Sequence, residues 1–200
     1  VKVTAPAAER NKAPILSMLR RALPAAGTVL EVAGGSGQHA AFFAEHLPHL
    51  TWQASEQPGE LASLQAWRKE CGAPNLPPPL ALDINQNPWP VDRADAVVCI
   101  NAVHIIPWPA VQNLVRNGAR LLAPGAVFFL YGPFRYRNRV LEPSNESFDT
   151  WLRRRDPRSG LRELESVDAL MEENGLYLAA DEAMPASNRS VWWRKAPRSA

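Results

Sequence analysis

Glu31 is the residue that most restricts the chemistry open to this sequence. It lies inside the short apolar run 28–33, and Gly34-Gly35-Ser36-Gly37 follows at once. An apolar, β-branched run bounded by glycine predicts a buried parallel strand. The glycines predict a turn whose backbone can approach a ligand closely, and 38–47 predicts the helix after it, with free N–H groups above the strand end. Two kinds of nucleotide cofactor use such loops. Gly35-Ser36-Gly37-Gln38-His39-Ala40 fits the dinucleotide pattern G-x-G-x-x-G/A. A pyrophosphate, however, gains nothing from an anion so close. A carboxylate inside a strand is costly unless it meets a partner, and the ammonium group of S-adenosylmethionine (SAM) is such a partner. Glu31 therefore favours SAM over NAD.

Other candidate residues stand at successive strand ends. Glu56 follows 50–55, roughly 20 residues past the glycines, where a carboxylate can accept from both ribose hydroxyls, with Gln57 beside it. That feature suits SAM and NAD alike, and an acid at a helix N-terminus would read the same way. Asp83 ends the short strand 80–84 and is placed to accept from an adenine amine, with Ile84 packed on the ring; an Asp-Ile-Asn turn has the same appearance. The run 94–100 leads into Asn101 and His104. Ligands of open α/β sheets bind at strand C-termini beside the first and fourth strands. Asn101 is thus expected at the cofactor, and His104 at the substrate as a candidate proton acceptor. Tyr131, at the end of the strand 126–131, is a second catalytic and substrate-side candidate. Arg135 in the following loop is a candidate for holding an anionic substrate. Asn11 and Lys12, in the polar cluster Glu9-Arg10-Asn11-Lys12 expected just ahead of the opening helix, complete the substrate side. The cluster reads either as a solvated helix start or as part of a lid over the cofactor.

Several chemistries lack their residues. Gln38 occupies the second-glycine position of a nucleophile elbow, and no P-loop lysine follows the glycines. His39, His46 and His49 have no cysteine partners, so a metal is not expected.

Two hundred residues predict one domain spanning 1–200, with the N-terminal helix or lid at 1–24 and a substrate-side insertion at 132–160. A net charge of +2 makes no global case for nucleic acid or a membrane. From Tyr131 onward twelve basic residues face eleven acidic ones, so the arginine-rich segment carries little net bias. Cys71 and Cys99 do not suggest a disulfide framework and are read as reduced thiols of a cytoplasmic protein. Helices are expected at 9–23, 58–70, 108–122, 143–155 (capped by Ser144 or Asn145) and 161–174. Strands at 176–180 and 190–194, joined by a hairpin, close the chain. Five alternating strand–helix units ending in a hairpin predict a single-domain α/β sandwich. Its sheet is mostly parallel with an antiparallel C-terminal strand, as in class I methyltransferases.

The motifs together resemble one family. Glu9-Arg10-Asn11-Lys12-Ala13-Pro14-Ile15-Leu16, the Glu31–His39 loop, Cys99-Ile100-Asn101-Ala102-Val103-His104 and Leu130-Tyr131-Gly132-Pro133-Phe134 are similar to the methyltransferase-like family known as domain of unknown function 938. Pro143-Ser144-Asn145, Arg155-Asp156-Pro157 and Met184-Pro185-Ala186 extend the resemblance over nearly the whole chain. It implies a Rossmann-like class I fold, SAM as cofactor and S-adenosylhomocysteine (SAH) as product, and it names no substrate. The expectation is a SAM-dependent methyltransferase of a small molecule. A non-catalytic SAM-binding or partner-binding module, an NAD-linked oxidoreductase and an RNA methyltransferase are the alternatives.

Overall fold

The computed structural model describes residues 1–197. In chain order the first half comprises α1 (Pro6–Ala22), β1 (Gly27–Val32), α2 (Gln38–His46), β2 (Leu50–Glu56), α3 (Ala62–Cys71), β3 (Leu80–Ala81) and β4 (Ala94–Ile100). The second half comprises α4 (Trp108–Leu121), β5 (Leu122–Gly132), β6 (Phe134–Arg135), α5 (Pro143–Arg155), β7 (Arg162–Glu163), α6 (Leu164–Glu173), β8 (Leu176–Met184) and β9 (Asn188–Lys195), with a 3-10 turn at Pro185–Ser187 joining the last two strands. Seven strands form one sheet in the order β3-β2-β1-β4-β5-β9-β8. The pairs from β3 to β5 are parallel, and β9 enters antiparallel between β5 and β8. This is the Rossmann-like sheet expected from the sequence, with β1 and β4 side by side where the strand order reverses.

Side chains of a strand alternate between its faces, and the alternation divides the core in two. Val29, Ala96, Val98, Phe129 and Trp192 pack against α1, α2 and α3. Leu30, Val32, Cys99, Phe128 and Trp193 pack against α4 and α6. Glu31 falls in the same row as Val29, so its carboxylate enters the apolar layer beneath α1 and α2.

Several local expectations are corrected. α1 begins at Pro6, not Glu9, so the Glu9–Lys12 cluster lies within the helix and Pro14 sits in its interior. There Pro14 has no N–H to give the Arg10 carbonyl. α3 begins at Ala62, four residues later than expected, because Gly59 adopts a left-handed φ of 95° that interrupts the backbone. β3 keeps only two residues, so Asp83 and Ile84 lie in the turn after it. Neither Ser144 nor Asn145 caps α5. Pro143 takes the first helical position after Glu142, and the buried Asn145 amide instead donates to the Ser187 carbonyl at 3.0 Å. The small parallel β6–β7 pair was not foreseen, since two-residue strands carry no periodic signal.

Gly118 tests the packing of α4. Alanine usually favours a helix by about 1 kcal/mol over glycine, but a Cβ here would meet Phe128 Cε2 at 2.5 Å. Gly118→Ala is expected to destabilise the fold by about 1–3 kcal/mol, read as a lower urea midpoint at an unchanged slope.

Candidate functional site

The C-terminal ends of β1 and β4 open into a cleft of about 370 Å³. Ala5, Ala7 and Ala8 close it from the start of α1, and Ile105 and Ile106 from the segment after β4. Glu31 lies at its floor, 1% exposed. Its Oε2 accepts the Trp52 indole N–H at 2.9 Å, whereas its Oε1 is buried with no hydrogen-bond partner. Burial pushes the Glu31 carboxyl up to about 7; the Trp52 bond opposes the shift and the Glu56 charge adds to it. Without a ligand, therefore, this carboxyl titrates near neutral pH.

The glycine loop is held by short backbone bonds. Gly34 N–H donates to the Ser55 carbonyl at 2.8 Å, and Gly37 N–H to the Gly34 carbonyl at 3.1 Å. Gly37 heads α2 with φ 92°, and a Cβ on it would lie 2.9 Å from Leu64 Cα. Gly35 has φ 58° and open space where a Cβ would stand, which leaves its backbone accessible to a ligand. Glu56 ties the loop to β2. Its two oxygens accept the Gly35 N–H at 2.9 Å and the Gln57 N–H at 2.8 Å. Each oxygen keeps lone pairs for further donors.

The cleft brings together most of the cofactor-side candidates. Glu31, Gly34, Gly35, Glu56, Ile84 and Asn101 line it, and Gln57 does too. Asn101 has a left-handed φ of 56°, tied by its N–H to the Tyr131 carbonyl at 2.8 Å. Gly37 acts through the turn and does not line the cavity. Asp83 is turned into its own loop, where one carboxylate oxygen accepts the Asn85 N–H at 2.8 Å. Leu82 and Ile84 supply the wall there.

The substrate-side candidates are dispersed. His104 is buried edge-on to Phe148, with ring centroids 5.5 Å apart, and is not among the residues lining the cleft. Burial, then the Arg162 charge, lowers it to about 4, so its imidazole is neutral at pH 7. Tyr131 and Asn11 line a neighbouring cavity on the far side of Ala7. Lys12 pairs with Glu9 at 2.5 Å and lies over the Phe42 ring, facing a groove beside α3. Arg135 is exposed, 3.9 Å from Asp149. Sequence reasoning missed His39 as a lining residue; its Nε2 lies 2.7 Å from Asn11 Oδ1. Its place directly after the glycine loop was the available signal. Among the described residues no cluster of His, Cys, Asp and Glu could hold a metal ion, and no helix is long and apolar enough to cross a membrane.

The family model described as protein of unknown function (DUF938) matches residues 2–195. The chain belongs to the DUF938 family. Solved structures share the fold of this DUF938 chain at low identity. An O-methyltransferase family protein from Burkholderia thailandensis superposes with a TM-score of 0.80 at 16% identity, covering 96% of this chain and 58% of that one. Mitomycin 7-O-methyltransferase MmcR gives 0.80 at 19% identity, covering 95% and 54%. CalO1, a methyltransferase of calicheamicin biosynthesis in its SAH-bound form, gives 0.74 at 19%, covering 94% and 54%. The DUF938 chain thus spans less than two thirds of the length of the structures it matches, and the likeness establishes a methyltransferase-type fold.

The Glu31 carboxyl makes a signed prediction. Its folded pKa of about 7 lies above the ordinary value of 4.5. Between these values the folded state keeps a proton that the unfolded state has lost. Stability therefore falls as pH rises through this window, by on the order of 3 kcal/mol in total. Glu31→Gln removes that loss. The ligand-free variant is expected to melt close to wild type at pH 5 and about 5 °C or more above it at pH 8, by calorimetric melts across that range.

Proposed function

We propose that this chain is a SAM-dependent methyltransferase acting on a small-molecule acceptor. The observation that carries the reading is the unpartnered Oε1 of Glu31, buried at the floor of a cleft headed by a glycine loop. A ligand cation would satisfy it and hold the carboxylate ionised, since an ion pair out of water is far stronger than one in it. SAM combines such a cation with a nucleoside. Glu31 would pair with its ammonium, and the Gly34–Gly35 backbone would border the methionine part. Glu56 and Gln57 would take the ribose hydroxyls, and Leu82 and Ile84 would cover the base, with Asp83 holding the turn that presents them.

Bound SAM would supply an activated methyl group to the acceptor's lone pair, with SAH as the other product and the acceptor's proton passing to solvent. The protein's part is position and exclusion of water, and alignment of this kind can lower a barrier by roughly 7–11 kcal/mol. Asn101 sits between the cofactor cleft and the Tyr131–Gly132 edge, where the two reactants would meet. The neutral His104 imidazole packs behind Gly132 and lines neither cavity, so it would support this edge of the site and not take the proton itself. The fold shared with the S-adenosylmethionine-dependent methyltransferase SibL and with the SAH-bound methyltransferase CalO1 supports the cofactor assignment.

Calorimetric titration with SAH, with NAD in parallel, tests the reading. SAH is expected to bind in the micromolar range and NAD not at all. Glu31→Gln is expected to weaken SAH by tenfold or more, since losing a charge-assisted bond costs about 1.5–3 kcal/mol. NAD binding, or unchanged SAH affinity in the variant, overturns the assignment of Glu31.

A further inference from the structure

The face of α1 formed by Ala7, Arg10 and Asn11 borders a second cavity, of about 180 Å³, closed by Tyr131 and by Ala186 and Asn188 of the β8–β9 turn. Ala7 lines both this cavity and the cofactor cleft, so the two spaces meet at the first turn of α1. We infer that this second cavity receives the methyl acceptor, and that the acceptor is a small, largely apolar molecule bearing a carboxylate about one helical turn from the atom that is methylated. The inference rests on the methyltransferase reading and extends it to the substrate.

Three observations carry it. The first is charge. Arg10 is the sole ionisable group besides the Tyr131 phenol among the residues lining the cavity, and no carboxylate lines it. An anion is favoured there and an amine is not.

The second is the direction of hydrogen bonding. Asn11 Oδ1 can only accept, so the neutral His39 carries its hydrogen on Nε2, 2.7 Å away. Burial, then Lys12, keeps His39 neutral by lowering it to about 4. The Asn11 amide N–H is then left to face Tyr131, whose O–H meets no acceptor among the described residues. The Tyr131 O–H is thereby free to donate into the cavity. Burial raises the phenol above its ordinary value, so it remains protonated at pH 7. The amide of Asn188 is already occupied by the Pro185 and Ala186 carbonyls. The cavity thus presents donors, and a carboxylate answers donors.

The third is spacing. Arg10 and Asn11 lie three and four residues beyond Ala7, which is about one turn, or 5 Å, along the helix. A carboxylate held by Arg10 and Tyr131 leaves the other end of a small molecule at the Ala7 junction, facing the cofactor.

The test is calorimetric titration of the SAH-saturated protein with three probes that share a 4-hydroxyphenyl ring: 4-hydroxybenzoate, its uncharged isostere 4-hydroxybenzamide and the cationic tyramine. The benzoate is expected to bind saturably, the amide about tenfold more weakly, and tyramine more weakly still. Arg10→Gln and Tyr131→Phe are each expected to weaken the benzoate by about tenfold while leaving SAH affinity unchanged. Unchanged SAH affinity also shows that the variants fold. Failure of the benzoate to bind, equal or tighter binding of tyramine, or indifference to Arg10→Gln overturns the inference. The benzoate titrations are repeated without SAH. Failure of SAH itself to bind then counts against the cofactor reading alone, and Arg10-dependent benzoate binding still supports the cavity assignment.

Discussion

A carboxylate placed in an apolar layer has to be reconciled with its surroundings, and the site is built around that requirement. Glu31 occupies a sheet position whose cross-strand neighbours are Ala54 and Val98, with Val29 and its partner Trp52 next along the same face. Trp52 compensates one oxygen with its indole N–H and leaves the other bare. An unsatisfied buried oxygen costs about 1–3 kcal/mol, which a stability-optimised strand would avoid by placing an apolar residue there. The cleft above Glu31, the small residues of α1 that close it and the open side of Gly35 give that bare oxygen access to a ligand. The same arrangement couples protonation to occupancy: empty, the carboxyl titrates near neutral pH; with a cation beside it, it would remain charged.

The loop above the strand depends on this geometry in turn. Gly37 must bring α2 within van der Waals range of the α3 backbone, and Gly34 must donate to the Ser55 carbonyl on β2. Both contacts place the loop against the β1–β2 edge, and Glu56 completes the attachment by accepting the Gly35 N–H. Glu56 is therefore a structural member of the loop as well as a candidate ribose acceptor, and the two roles share one carboxylate without conflict because each oxygen has a spare lone pair.

α1 joins the two halves of the site. Ala7 and Ala8 face the cofactor cleft, and Arg10 and Asn11 face the second cavity. The Glu9–Lys12 pair faces a third groove beside α3. On its inner side Asn11 also ties α1 to α2 through His39.

The local sequence alone determined the strand–glycine–helix unit, the position of Glu31 in it, the succession of strands and the antiparallel end of the sheet. Each of these is written in short-range terms: an apolar run of strand length, glycines where φ is positive, a hairpin where five strand–helix units end. The tertiary structure decided which polar residues share a space. Asn11 and Lys12 are adjacent in sequence, yet helical geometry sends them into different cavities about 100° apart around α1. Asp83 reads as one more acid at a strand end, but β3 stops two residues earlier and the carboxylate caps its own turn. His39 carries only its place after the glycine loop as a local mark; the approach of α1 to α2 gives it Asn11 as a partner. His104 follows a strand end as a site residue should, and the packing of Phe148 and Gly132 around it determines which side it faces. Backbone conformation is governed largely by neighbours along the chain, whereas the pairing of side chains across helices and turns is governed by packing, which no local pattern encodes.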